Sequence, residues 1–431
     1  MRVHAYTSAI RSATNRSVNI VHVQPDTGRR AAAATGTVYS ILFAISAVHL
    51  MNDSMQTVVT ALFPVFEDSL RLTYAQVGWI SFALNMTSSV MQPVVGLYSD
   101  KRPSPRMLPF GMAASMLGMA GLAYAPNFWL LLLSVMFVGI GSAVFHPEGS
   151  RVVYFAAGSR RSFAQSVYQV GGNAGQSLAP LMTIFIFLPL GQPGAIWGTL
   201  LAAAAIAILL FVVPWYRTQL ETNGAPVKKR KPGTAAHADA AAGKRGFDGE
   251  IVLGLSLLIF IVFARSWYSA GISNFFMFFL RDDYGMTMKE AQVPLFLFLA
   301  AGVAGTYFGG NWGDRFGRKK MMIASIAGAA PFALLLPHLP AGWIYADIAV
   351  LGFILMSGFS VSVVYAQELL PGNVGMASGL IVGLAFGMGA LGSVVLGNLA
   401  DAWGMRAVMN LVSYLPLVGM LAILLPKDRR P

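Results

Sequence analysis

Apolar residues run along this chain in long blocks, and short stretches rich in glycine, proline and charge separate them. A helix needs about 20 consecutive, mostly apolar residues to cross a bilayer. Twelve blocks fit that length: 38–64, 74–98, 107–125, 127–147, 163–187, 192–214, 250–280, 289–312, 319–337, 341–365, 375–398 and 403–426. They are continuous rather than alternating, so they are not the strands of a membrane barrel. Backbone groups in lipid must bond internally, which leaves helices. The pattern predicts an all-α polytopic membrane protein with 12 transmembrane helices.

The interruptions organise the blocks. Residues 215–249 carry Lys228, Lys229, Arg230 and Lys231, then Pro232, Gly233 and an alanine-rich tract, the composition of a flexible linker. This predicts a cytoplasmic connector between two six-helix halves, 38–214 and 250–426. Residues 1–37 are polar, with Ser and Arg and no apolar core of their own, so they are expected to form a disordered cytoplasmic tail and not a cleaved signal. Residues 427–431 make a second short cytoplasmic tail. Repeated halves of this kind are common in secondary transporters, whose substrate site lies at the interface near the midplane.

Composition adds orientation. Only 11% of the residues are charged against 56% hydrophobic, where a soluble domain carries about 25% charged. The net charge of +12 would suit a nucleic-acid partner if the bases shared a face. They do not. With the amino terminus inside, all but five of the 30 Lys and Arg residues fall on the cytoplasmic side. Arg71, Arg281, Lys289 and Arg406 fall outside, and Arg265 falls within a block. That asymmetry is the positive-inside rule, with both termini cytoplasmic. No nucleic-acid partner is expected; the partners are the lipid bilayer, protons and a small molecule. The absence of cysteine removes disulfides and thiolate metal sites.

Polar residues inside the blocks are costly and mark function. The first block carries His49, Asn52, Asp53 and Gln56, whose spacings put them on one helical face. Asp53 lies well inside, where a carboxylate withdrawn from water could take up and release a proton near neutral pH; it could also be a structural acceptor paired with His49. Ser81, Asn85, Ser88 and Gln92 repeat the stripe on the second block, and Gln165, Gln169, Asn173 and Gln176 on the fifth. Such amides line a wet cavity or join helices by hydrogen bonds. Gly171, Gly172 and Gly175 would let the fifth helix pack closely, and Pro180 would bend it. In the seventh block Arg265 precedes Tyr268 by one turn. Its guanidinium could clamp a phosphonate, phosphate or carboxylate, or neutralise a buried acid. His146 and Glu148 end the fourth block and Glu368 ends the tenth. The two glutamates sit at the cytoplasmic edge, as proton carriers or as halves of a charge-paired gate. Gly375, Gly379, Gly383 and Gly387 form a ridge that would let another backbone approach.

One loop motif occurs twice. Gly310, Asp314, Arg315, Gly317 and Arg318 form the strong copy, between the eighth and ninth blocks. Gly96, Asp100 and Lys101 form the weak one, at the matching place in the first half, with Arg151 as a basic neighbour. A glycine, an acid and then bases suit a tight cytoplasmic turn between membrane helices. No phosphate-binding loop, nucleophile elbow or paired-histidine motif is present, so neither an enzyme nor a metal or cofactor is expected.

These motifs resemble the major facilitator superfamily. More narrowly, the runs around His49–Asp53, Gln92–Lys101, Val144–Arg151 and Ala164–Asn173 resemble the fosmidomycin resistance protein family of bacterial inner-membrane efflux carriers. The resemblance spans about 38–426. In the first loop Pro103 and Ser104 stand where the motif has Gly and Arg. The resemblance implies a proton-coupled antiporter that exports small drugs, fosmidomycin-like phosphonates among them, by alternating access. It would act as a monomer in the inner membrane, with the proton gradient as its energy source. A proton symporter importing a sugar or organic anion shares the fold, and a non-transporting sensor is a third possibility.

Overall fold

The computed structural model describes residues 36–158, 161–223, 249–369 and 374–426. Residues 1–35, the heart of the expected linker and the 427–431 tail lie outside that set. So do the side chains of Asp100, Lys101, Gln165 and Asp314. Every regular element among the described residues is helical.

The helices before the linker are α1 (Tyr39–Ala61), α2 (Phe63–Leu70), α3 (Tyr74–Asn85), α4 (Gln92–Lys101), α5 (Met107–Tyr124), α6 (Phe128–Ala156), α7 (Arg161–Met182) and α8 (Gly198–Asn223). Those after it are α9 (Gly249–Tyr284), α10 (Met288–Phe316), α11 (Arg318–Ala327), α12 (Ala330–Leu335), α13 (Ala341–Ser357), α14 (Phe359–Leu369), α15 (Val374–Trp403) and α16 (Met405–Ser413). Among the described residues, ten helical segments are long and apolar enough to cross a membrane. The first two blocks are not among them. In α1 the polar stripe dilutes the apolar character, and the second block is broken into α3 and α4.

The breaks have local causes. A π-helical turn, Met86–Val90, separates α3 from α4 just before Pro93, and another, Thr183–Phe187, follows Pro180 in α7. Proline removes a backbone donor and displaces the preceding turn, so the ladder widens or bends there. Starts are set by side chains. Thr73 and Gln76 close a reciprocal cap on α3, as Thr287 and Glu290 do on α10. The end of α10 falls at Gly317, whose φ of 100° excludes a side chain without strain. This is the second glycine of the strong loop motif, and it makes the tight turn that the motif predicts. At the other boundary, α8 runs past the apolar block to Asn223, held by Tyr216, which is buried and hydrogen-bonded to Glu148.

Packing joins α1 to α7, α5 to α6 and α10 to α13, while α3 of the first half packs along α15 of the second. The α1–α7 contact depends on small residues. A Cβ on Gly171 would lie 2.3 Å from the Ser46 carbonyl oxygen, and one on Gly175 would lie 2.2 Å from that of Leu50. Of the four glycines expected to form a ridge on α15, Gly387 is the one described at that level. A side chain at Gly387 would meet nothing within 4 Å, so no backbone approaches there. Gly375, Gly379 and Gly383 lie outside the residues described at that level.

Candidate functional site

The close approach of α1 and α7 brings the polar face of α1 against three other helices. His49, Asn52 and Asp53 are all buried. Asp53 is the hub. His49 Nε2 lies 3.5 Å from Asp53 Oδ2, and His146 Nε2 of α6 lies 3.5 Å from Oδ1. Asn52 Nδ2 donates to Oδ1 at 3.0 Å and Gln176 Nε2 of α7 donates to Oδ2 at 2.8 Å. The carboxylate is therefore held between two imidazoles and two amides, so the structural and chemical readings of Asp53 meet in one cluster.

The tautomer of His49 follows from its surroundings. Its Nδ1 lies 2.7 Å from the Tyr168 backbone oxygen, which only accepts, so Nδ1 carries the hydrogen. Nε2 then faces Asp53 and can gain a second proton. The ring is stacked on Tyr168, with centroids 4.0 Å apart, and His146 meets it edge-on at 5.1 Å. Gly172 completes the fit, since a Cβ there would stand 2.4 Å from His49 Nε2 and 2.9 Å from Asp53 Oδ2. Nitrogen and oxygen donors of His49, Asp53 and His146 lie within 4.8 Å of one another, a spacing that a metal ion could also bridge.

Beyond Asp53 the network runs through hydroxyls. Asn52 Nδ2 donates to Ser142 Oγ of α6 at 3.2 Å, Ser142 donates to Gln56 Oε1 at 2.7 Å, and Gln56 Nε2 donates to Ser88 Oγ at 3.1 Å. The second-block stripe is thereby divided. Ser88 joins this network, whereas Asn85 and Gln92 donate back to carbonyls of their own helix, those of Ser81 and Ser88. Gln169 is exposed and donates to Asn173 within α7. Ser142 was not apparent from the sequence, because a single serine in an apolar helix carries no periodic signal.

Arg265 stands apart from this cluster. It is buried in α9, with Nη1 donating to Ser362 at 3.2 Å and Nη2 to Ser325 at 3.3 Å. Its Nε has no partner, and no carboxylate pairs with it among the described residues. Neutralisation of Asp53 by Arg265, one of the two sequence readings, is thus not what the geometry provides. Tyr268, one turn on, is buried with an unpartnered hydroxyl.

The edge glutamates are held in charge pairs. Glu148 accepts from Arg151 Nη1 at 3.0 Å and from the Tyr216 hydroxyl at 2.8 Å, while Arg151 also donates to the Ser99 carbonyl and hydroxyl. Arg318 of the strong loop motif lies 2.9 Å from Glu368. A Cβ on Gly96 would lie 3.8 Å from Pro147 Cβ, and one on Gly310 would meet nothing within 4 Å among the described residues.

At the opposite ends of these helices the two halves are bonded together. Asn274 of α9 donates to Ser81 at 3.0 Å and to Ser393 of α15 at 2.8 Å. The first two amides of α3, at Tyr74 and Ala75, donate to the two oxygens of Asp401 at 2.7 and 2.9 Å. Arg281 reaches Glu67 at 2.6 Å and Asp68 at 3.1 Å, and Gln292 Nε2 donates to the Ala61 carbonyl at 2.6 Å. Burial pushes the Glu67 carboxyl above its usual range, against the pull of Arg281. This seam was not legible in the sequence, because its partners lie far apart along the chain.

Comparison with known proteins agrees with this architecture. The family model for the Major Facilitator Superfamily matches residues 42–279 and 255–431. The chain is 50% identical to an uncharacterized MFS-type transporter, YfnC, of Bacillus subtilis, over 91% of this chain and 94% of that one. It is 43% identical to the fosmidomycin resistance protein of Escherichia coli, over 94% and 98% respectively. Among solved structures, a bacterial homologue of the human lysosomal transporter Spinster, inward-facing and occupied, superposes with a TM-score of 0.71. The match covers 89% of this chain and 96% of that one at 16% identity, a likeness of fold alone.

Proposed function

The chain belongs to the Major Facilitator Superfamily of multi-pass membrane transporters, and from that premise we propose that it exports small drugs in exchange for protons. Fosmidomycin-like phosphonates are the substrates proposed first, after the relative of that name. The chain would cross the bacterial inner membrane twelve times, with α1 and the α3–α4 rod completing the ten apolar spans. Two six-helix halves would be joined by a cytoplasmic linker, with both termini cytoplasmic. It would act as a monomer without cofactor.

The observation that carries the proton reading is the buried carboxylate of Asp53 between two imidazoles. Asp53 and His49 can pass one proton between Oδ2 and Nε2, and His146, partly open to its surroundings, can relay it. Glu148 and Glu368, already held in charge pairs, would then act in gating at the cytoplasmic edge. Arg265 offers two nitrogens to hydroxyls and a third to nothing, which suits an anionic group of the substrate. On the proposed orientation the bonded seam at Asp401, Arg281 and Asn274 is the outer end. Alternating access would break it to release substrate.

An organic anion could move with the proton as well as against it, so symport is the second reading favoured by Arg265. Expression of the chain in a drug-sensitive bacterium tests the substrate assignment. Resistance to fosmidomycin should rise, and Arg265→Gln should abolish the rise. Protection from neutral drugs with none from fosmidomycin would refute the phosphonate assignment.

A further inference from the structure

Asp347 is a second acid inside the apolar spans, and the network around Asp53 does not use it. It lies six residues into α13, about 9 Å along the axis at 1.5 Å per residue. It is 8% exposed and its Oδ2 has no hydrogen-bond partner. No basic group pairs with it among the described residues. Its neighbour is Tyr268 of α9, whose hydroxyl is likewise buried and unpartnered and lies within electrostatic reach of Asp347.

We propose that Asp347 is a second proton-binding site, which holds its proton while the outer end is closed and releases it when that end opens to water. An ionised carboxylate in this position would be largely withdrawn from water and, among the described residues, without a counter-ion, a costly condition for a buried charge. A protonated carboxyl is neutral, and its hydroxyl can turn towards Tyr268. The charged groups described on the helices packed around α13 stand at helix ends, Arg315 in the last turn of α10 and Lys320 in the first turn of α11 among them. Lys289 and Glu290 lie in the first turn of α10, with Glu290 tied to Thr287. Arg318, at the start of α11, lies against Glu368 of α14. Lys319 donates to the Leu425 carbonyl. His338 ends the 3₁₀ turn that leads into α13. Tyr268, which lies within reach of the Asp347 charge, is therefore its titratable neighbour inside the span among the described residues. Asp347 stands in the half that holds Arg265, on the outer side of the membrane in the orientation proposed above. Asp347 is thus an acid of the second half set within its apolar spans, as Asp53 is of the first, and imidazoles face Asp53.

Infrared spectroscopy of the purified chain in lipid nanodiscs tests this without reference to transport. At pH 7 the wild type should show the carbonyl stretch of a protonated carboxylic acid, and the band should fade as pH is raised. Asp347→Asn should remove it, Asp347→Glu should keep it at a shifted position, and Asp53→Asn should leave it in place. Tyr268→Phe should move the pH at which it fades. A band left unchanged in intensity by Asp347→Asn, or one that disappears in Asp53→Asn with Asp347 intact, would overturn the assignment. Because the readout is the carboxyl itself, it stands or falls separately from the export reading.

Discussion

Asp53 accepts two amide bonds and faces two imidazoles, yet its structural share is small. Interhelical hydrogen bonds in membranes average about 0.6 kcal/mol each, so Asp53→Asn, which keeps shape and can still bond, should shift stability by roughly 1 kcal/mol or less. Its effect on proton-driven transport should be complete, while exchange of substrate across membranes without a pH gradient should persist. Loss of both activities together would point to a structural role. Arg265→Lys should weaken anionic substrates at least tenfold more than neutral ones in a competition assay, because an ammonium lacks the planar fork. Gly172→Ala adds one methyl 2.4 Å from His49 Nε2. The ring is fixed by its stack on Tyr168, so this change should abolish proton coupling while the protein still inserts. At this scale the sequence was informative where polar residues recur on one face. His49, Asn52, Asp53 and Gln56 were legible for that reason. His146 could be singled out but not placed, since only tertiary packing sets it beside Asp53. Asp347 satisfied the same rule about acids in apolar spans but had no companion on its own helix to draw notice.

Among elements, the seam between α3 and α15 carries the strongest mechanical prediction. The amides at the start of α3 have no partner within their helix, and here Asp401 of the other half supplies both acceptors. Loss of a cap costs about 1 kcal/mol, enough to change a two-state population about fivefold. Asp401→Ala should therefore raise the fraction open at this end. Spin labels on an introduced cysteine pair would measure it directly, as the chain has no cysteine of its own. An unchanged distance distribution would remove Asp401 from the gate. Glu67 adds a pH dependence. Its carboxyl is raised in the closed seam, so its contribution to closure is full below the ordinary carboxylate range and is lost as pH rises through the raised value. Raising the pH at that face through this value should open the same labelled pair. Helix positions were largely legible from apolar length, but the interruptions were not. The π-helical turns near Pro93 and Pro180 depend on how neighbours absorb a missing donor, which periodicity does not record.

For the whole molecule, the duplicated loop motif suggested two related halves, and the family match places the chain in a superfamily of membrane transporters. The copies differ in what the structure describes. Gly317 makes its turn with a positive φ, and Arg318 pairs with Glu368. In the first half Arg151 takes up Ser99 and Glu148 instead. The chemistry is divided in the same way, with the Asp53 cluster before the linker and unpaired Arg265 after it. On the reading proposed above, export against a proton flux would use both. The deciding measurement is the pH inside proteoliposomes containing the purified chain, with no initial pH gradient, when fosmidomycin is added outside. Exchange predicts that protons leave as drug enters, so the lumen turns alkaline, and that Asp53→Asn abolishes the change. A lumen that acidifies, or that does not respond while drug still enters, would contradict proton-coupled export.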